Sequence, residues 1–307
     1  MVKGKLMMKK TKKVKQSIGD RTFDLVVFIL AFLALGIAVY PLYFVVIASF
    51  SDPDMVSRGL VTLFPRNFTL EAYQYIFKTT EVWRGYRNTL VYVVGSVGVG
   101  LFITIPGAYA LSREDLIGRN LFTKIITFTM FFQGGLIPTY VMMKNFHLTN
   151  TPWIVILLAS TTVFNIIVAR TFFISNMPKE LWEAAAVDGC GNFKYFFMVV
   201  LPLSKTVIAI IALYVAVAQW NSFFNAMIYL TDEKYSPLQI ILRKILIMGQ
   251  NFGSAGEMDP LELEAARRIS LLVKYALIVV SSGPIIALYP FLQKYFVKGV
   301  MVGSVKG

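Results

Sequence analysis

The chain has 307 residues, 56% of them hydrophobic and only 15% charged, with a net charge of +13. Soluble domains carry about one quarter charged residues, so this composition excludes an ordinary soluble protein and predicts an integral, all-α membrane protein. No zinc-finger spacing and no basic recognition helix accompany the positive excess, which argues against a nucleic-acid partner and for cationic tails beside membrane lipid.

Residues 1–22 read as a basic tail, with Lys3, Lys5, Lys9, Lys10, Lys12, Lys13, Lys15 and Arg21 against Asp20. Six apolar segments follow, each near the roughly 20 residues that a spanning helix needs. They predict transmembrane helices over 23–49, 87–112, 121–143, 151–170, 205–231 and 269–293. The first is too long for a signal-peptide core and has no convincing small-residue cleavage site, so it reads as a retained anchor. Gly95, Gly98 and Gly100 in the second are expected where helices pack closely. The third carries Gln133 beside Gly134 and Gly135, a place for a break or a close approach, and His147 follows in a short loop, where it reads as a loop residue near the headgroups.

Cation placement sets the orientation. Both the basic first tail and the last one, 294–307 with Lys294, Lys298 and Lys306, are expected in the cytoplasm. The charge-balanced loop 50–86 and the acid-bearing loop 232–268 are then extracytoplasmic. Within the latter, Pro237 to Met248 reads as a short amphipathic helix, either contacting a partner protein or resting on the interface.

The segment 176–203 falls on the cytoplasmic side between the fourth and fifth spans. Pro178 suits the first position of a helix, and Glu180 and Glu183 suit its positive end. Gly189 and Gly191 interrupt it, Asn192 can cap a second short helix, and Pro202 leads toward the fifth span. The product is a helix–turn–helix too short to span. Its alanines permit close approach and Glu183 and Asp188 offer anions, as a docking element would, although an ordinary interfacial loop has the same outline.

Polar side chains inside spans face cavities or other helices. Gln133, Asn165, Trp220 and Asn221 stand out, because amides beside an aromatic suit the hydroxyl rim and apolar face of a sugar. Helix-to-helix bonding is the competing role for the same residues.

Glu183-Ala184-Ala185, then Gly189, then Val199, Leu201 and Pro202 resemble the EAA loop of ABC-importer permeases, with Val199 in place of the usual isoleucine. Asn88-Thr89, the run Ala108 to Arg113, Gly118-Arg119 and Trp220-Asn221 resemble the sugar-importer members. The blocks FFQGGLIPTY and SPLQIILRKIL and the ending YPFLQKYFVKGVMVGSVKG are similar to a subgroup that imports complex oligosaccharides and products of polysaccharide breakdown. The resemblance implies the type I ABC importer permease fold in a bacterial cell membrane, and the place of the maltose importer's smaller permease. It implies four kinds of partner: a second homologous permease, a cytoplasmic ATPase dimer, an extracytoplasmic sugar-binding protein and the oligosaccharide itself. It gives the coupling role to Glu183, Ala184, Ala185, Asp188, Gly189, Leu201 and Pro202, and a place between the ATPase subunits to Lys298–Gly307. No cofactor is implied.

The chain has no GxxxxGK[ST] and cannot cradle ATP phosphates by that mechanism, so hydrolysis is expected of a partner. An ion-coupled secondary transporter is the alternative, but the central spans lack the carboxylates that such coupling uses. A membrane enzyme would need paired acids or metal ligands that the spans do not offer.

Overall fold

The computed structural model describes residues 18–251, 268, 270–271 and 273–287. The basic tail over 1–17, most of the loop beyond Asn251, the end of the sixth expected span and the C-terminal tail lie outside these residues. Among the described residues the chain is helical throughout, without strands.

Helix α1 (Ile18–Ser49) carries no charge beyond Asp24, and none of its most hydropathic stretch is buried, as expected of a helix facing lipid. It is attached near its C-terminal end. Ser49 Oγ lies 2.7 Å from the Tyr73 hydroxyl, and Phe44 meets Tyr275 edge-on. The loop after it is structured: α2 (Pro53–Ser57) is capped by the Asp52 side chain and α3 (Glu71–Lys78) buries Ala72 and Ile76.

Helix α4 (Thr80–Ser112) begins about two turns earlier than the expected span and is the axis of the fold. Its 33 residues reach about 50 Å at 1.5 Å per residue. Small residues let neighbours come close. A methyl group on Gly100 would sit 2.2 Å from the Ser160 carbonyl oxygen, and one on Gly95 would meet Ile156 at 2.9 Å. Gly98, expected to share this role, faces open space.

Three of the expected spans are broken. The third, expected as one helix over 121–143, is α5 (Arg119–Phe131) and α6 (Leu136–Asn145), turned 113° from each other. The four residues between them end in Gly134 and Gly135, and Gly135 has a φ of +85° that a side chain would resist. The fourth is α7 (Pro152–Ser160) and α8 (Val163–Asn176), bent by 44°, with Thr162 capping α8 through its hydroxyl. The segment 176–203 holds α9 (Lys179–Val187), α10 (Asn192–Tyr195) and α11 (Leu201–Leu203). The fifth span follows as α12 (Lys205–Asn221) and α13 (Phe224–Tyr229), interrupted at Ser222 and Phe223. The amphipathic stretch expected near 237–248 is α14 (Leu238–Asn251), and α15 (Val273–Ala287) is the described part of the sixth expected span.

Helices α7, α8, α12 and α14 all pack on α4. The resulting core has three apolar sections. Trp220 with Ile76, Leu238 and Leu277 fills the section by the start of α4, Tyr92 with Ile154 and Tyr229 fills the next, and Phe173, Tyr195 and Ile211 fill the section by the end of α4. Polar bonds pin the loop between α13 and α14 to this frame. Asn88 Nδ2 donates to the carbonyls of Lys234 and Ser236, and the Tyr92 hydroxyl donates to that of Tyr235.

Candidate functional site

The segment between α8 and α12 folds as two short arms. The first, α9, starts after Pro178, which stands one position before the helix rather than in it. It ends in a full left-handed C-cap. Gly189 has φ +74°, its N–H donates to Ala186, and the Cys190 N–H reaches back to Ala185. The second arm opens with Gly191 in the cap position that was expected of Asn192, which is instead the first helical residue.

The second arm passes through a π turn over Phe196–Val200, buries Tyr195, Phe196 and Val200, and bends by 77° at Ser204 into α12. Pro202 accounts for the disturbance. It cannot donate to the carbonyl four residues back, and its ring crowds that carbonyl; the ladder widens, with Leu201 N–H donating to Phe196. Ser204, fully buried, satisfies the Val200 carbonyl with its hydroxyl.

Exposure divides the residues expected to serve coupling into two sets. Glu183, Ala184, Asp188 and Gly189 are exposed, and Glu183 forms no ion pair among the described residues. Ala185 and Leu201 are half-buried against the core section of Phe173, Tyr195 and Ile211, and Pro202 is exposed. Val187 and Phe193 are more than four-fifths exposed, an apolar pair at the tip of the two arms.

Beneath α9 lies an open cavity of about 300 Å³, walled by α9, the end of α4 and the turn after it. Arg113, just past the end of α4, is its chief feature. Nε and Nη2 grip the Asp115 carboxylate at 2.7 and 2.6 Å, Nη1 donates to the Tyr109 hydroxyl at 3.0 Å, and the guanidinium carbon lies 4.1 Å from the centre of the Trp182 ring. The bond from Arg113 holds the Asp115 carboxyl below its ordinary value, and the same bond raises the guanidinium further. Lys179 and Glu114 form a second ion pair, which lowers the Glu114 carboxyl. Arg170 Nε adds a bond from α8 to the Leu111 carbonyl. The sequence reading missed this cluster, whose legible signals were a lone Trp182 on α9 and two acids after Arg113.

The four expected pathway residues do not meet in one described cavity. Trp220 is buried, donates from Nε1 to the Ser281 carbonyl at 3.0 Å and packs by Tyr86. Asn165 is buried in the first turn of α8. Asn221 is exposed and bonds back to the Val217 carbonyl, and Gln133 is exposed in the break between α5 and α6. Beside these, the buried Thr161 Oγ1 and Gln219 Oε1 have no hydrogen-bond partner among the described residues.

Comparison with known proteins places this geometry in context. The family model described as "Binding-protein-dependent transport system inner membrane component" matches residues 19–302. Protein LplC of Bacillus subtilis is 38% identical over 272 residues, covering 89% of this chain and 90% of that protein. The polygalacturonan/rhamnogalacturonan transport system permease protein YtcP of the same species is 38% identical over 288 residues, covering 94% and 99%. A chain in the crystal structure of a bacterial ABC transporter involved in the import of the acidic polysaccharide alginate superimposes with a TM-score of 0.81 at 33% identity, over 92% of this chain and 99% of that one.

Proposed function

Because the chain belongs to the family of binding-protein-dependent transport system inner membrane components, we propose that it forms half of a translocation pathway and couples it to a separate ATPase through α9 and the arm that follows. It is a non-catalytic, multi-pass membrane permease subunit of an ABC importer for sugars or oligosaccharides.

One observation carries the coupling assignment: α9 presents Glu183 and Ala184 exposed, Glu183 without an ion pair among the described residues, and Gly189 turns the chain toward the next arm. In this reading Glu183 pairs with a basic residue of the ATPase, Asp188 adds a second anion, and Ala184 admits the partner's surface. Ala185, Leu201 and Pro202 set the arms against the cytoplasmic core. A second, homologous permease completes the pathway, two ATPase copies bind below, and a sugar-binding protein delivers substrate from outside. Both termini are cytoplasmic and six spans cross the membrane, the third and fourth of them as bent pairs.

The cargo is a complex oligosaccharide of the kind released from polysaccharides, in keeping with the names of YtcP and of the alginate importer. Gln133 and Asn221 are the exposed amides that we assign to its path, with Trp220 and Asn165 shaping the wall from within the core. The ion-coupled alternative finds no support among these relatives.

Gentle extraction of the tagged chain from its native membrane tests the assignment. A second permease and an ATPase are expected to co-purify, with ATP hydrolysis in the same fraction. A chain that retains no ATPase even under mild crosslinking contradicts it.

A further inference from the structure

We propose that Arg113 is a positioning residue for coupling: its stack on Trp182 ties α9 to the end of α4, so that a shift of one moves the other. The inference rests on the coupling role assigned to α9 above. It goes beyond that role in naming the connection through which the long helix and the docking surface communicate.

The geometry is specific to arginine. One planar group meets three partners at once: the Asp115 carboxylate at its edge, the Tyr109 hydroxyl at a third nitrogen and the Trp182 face 4.1 Å from its carbon. A lysine keeps the charge but has neither the flat face nor the forked edge. Arg113 is also shielded, its side chain 16% exposed, so solvent screens it less than a surface ion pair.

Trp182 in turn meets Tyr195 of the second arm at 5.1 Å, edge to face, and Tyr195 is buried in the cytoplasmic core. Arg113 therefore grips the ring that joins both arms. Asp115 precedes α5, so the same guanidinium also links the start of the third expected span. The remaining tie, Lys179 to Glu114, is exposed at both ends and contributes little by itself.

The test uses the whole importer: this chain with its partner permease, ATPase and binding protein. Three readouts separate positioning from folding, namely ATPase retained per permease, basal ATP hydrolysis and the stimulation of hydrolysis by the binding protein. Arg113→Ala and Trp182→Leu are each expected to retain the ATPase and basal hydrolysis while stimulation falls about fivefold or more. Arg113→Lys is expected to fail as Arg113→Ala does, Trp182→Phe to preserve most of the stimulation, and the double variant to be no worse than either single one, because both remove the same contact. Full stimulation in Arg113→Ala overturns the proposal. So does a parallel loss of ATPase and stimulation in every variant, Trp182→Phe included, which marks a merely structural contact. A wild-type complex that holds its ATPase without being stimulated contradicts the relay. A wild-type chain that holds no ATPase contradicts the underlying coupling role instead.

Discussion

Gly100 of α4 lies against the backbone of Ser160, so close that a methyl group there would be 2.2 Å from the carbonyl oxygen. Ser160 ends α7 just before the break in the fourth span, so this approach fixes where the bent pair crosses α4. Backbone cannot swing aside as a side chain can, and overpacking of this kind costs about 1–3 kcal/mol. Gly100→Ala is expected to lower the thermal unfolding temperature of the purified protein, whereas Gly98→Ala, which meets nothing within 4 Å, is expected to leave it unchanged. Equal effects at the two positions would refute the packing account.

Gly189 is the second glycine whose conformation matters. Its φ of +74° lies where a side chain costs roughly 1–2 kcal/mol, and its N–H and that of Cys190 close the end of α9. Gly189→Ala is expected to fray α9 and weaken ATPase retention without loss of the membrane helices. Far-ultraviolet circular dichroism together with co-purification checks both halves of that statement.

Asn150 anchors the start of the loop between α13 and α14. With φ +57°, it donates its N–H to the Tyr229 carbonyl and accepts at Oδ1 from the N–H groups of Thr231 and Asp232. Asn150→Ala removes the acceptor from two backbone donors. Amide exchange at Thr231 and Asp232 is expected to accelerate at least about tenfold, as the loss of roughly 1.4 kcal/mol of protection would give. Unchanged exchange would mean that the loop is held elsewhere.

The Arg113–Asp115 pair gives a pH expectation with a definite sign. Asp115 is depressed in the folded chain, so the pair's contribution is present above the ordinary carboxylate value and is lost as pH falls through the lowered one. Fluorescence of a variant whose only tryptophan is Trp182 should therefore stay constant from about pH 5 to pH 9 and change only in stronger acid, below about pH 4. A transition near neutrality would assign Trp182 to a different neighbour.

Much of this was legible in the sequence because apolar length and glycine placement act locally. The first two expected spans became single long helices, and Gly189 predicted a turn where its left-handed φ places one. Gly134 and Gly135 marked a weak point in the third span, but not its 113° turn. That angle depends on how α5 and α6 meet the rest of the fold, which no local pattern encodes. The shift of the second cap from Asn192 to Gly191 reflects the same limit, since one position decides it. Trp220 looked like a platform for a sugar ring, but its indole N–H was close enough to α15 to bond to Ser281. The Arg113 cluster joins residues as far apart along the chain as Tyr109 and Trp182 and could be seen only once α4 and α9 lay side by side.

The most direct test of the coupling surface is a site-specific crosslink. Ala184 is exposed on α9 between Glu183 and Ala185, so Ala184→Cys in a Cys190→Ser background places one reactive thiol at the centre of that surface. In the assembled importer, a short bifunctional reagent is expected to join this position to the ATPase, with the yield changing when ATP is added. If the complex still holds its ATPase while no crosslink to it forms from position 184, α9 is not the docking surface.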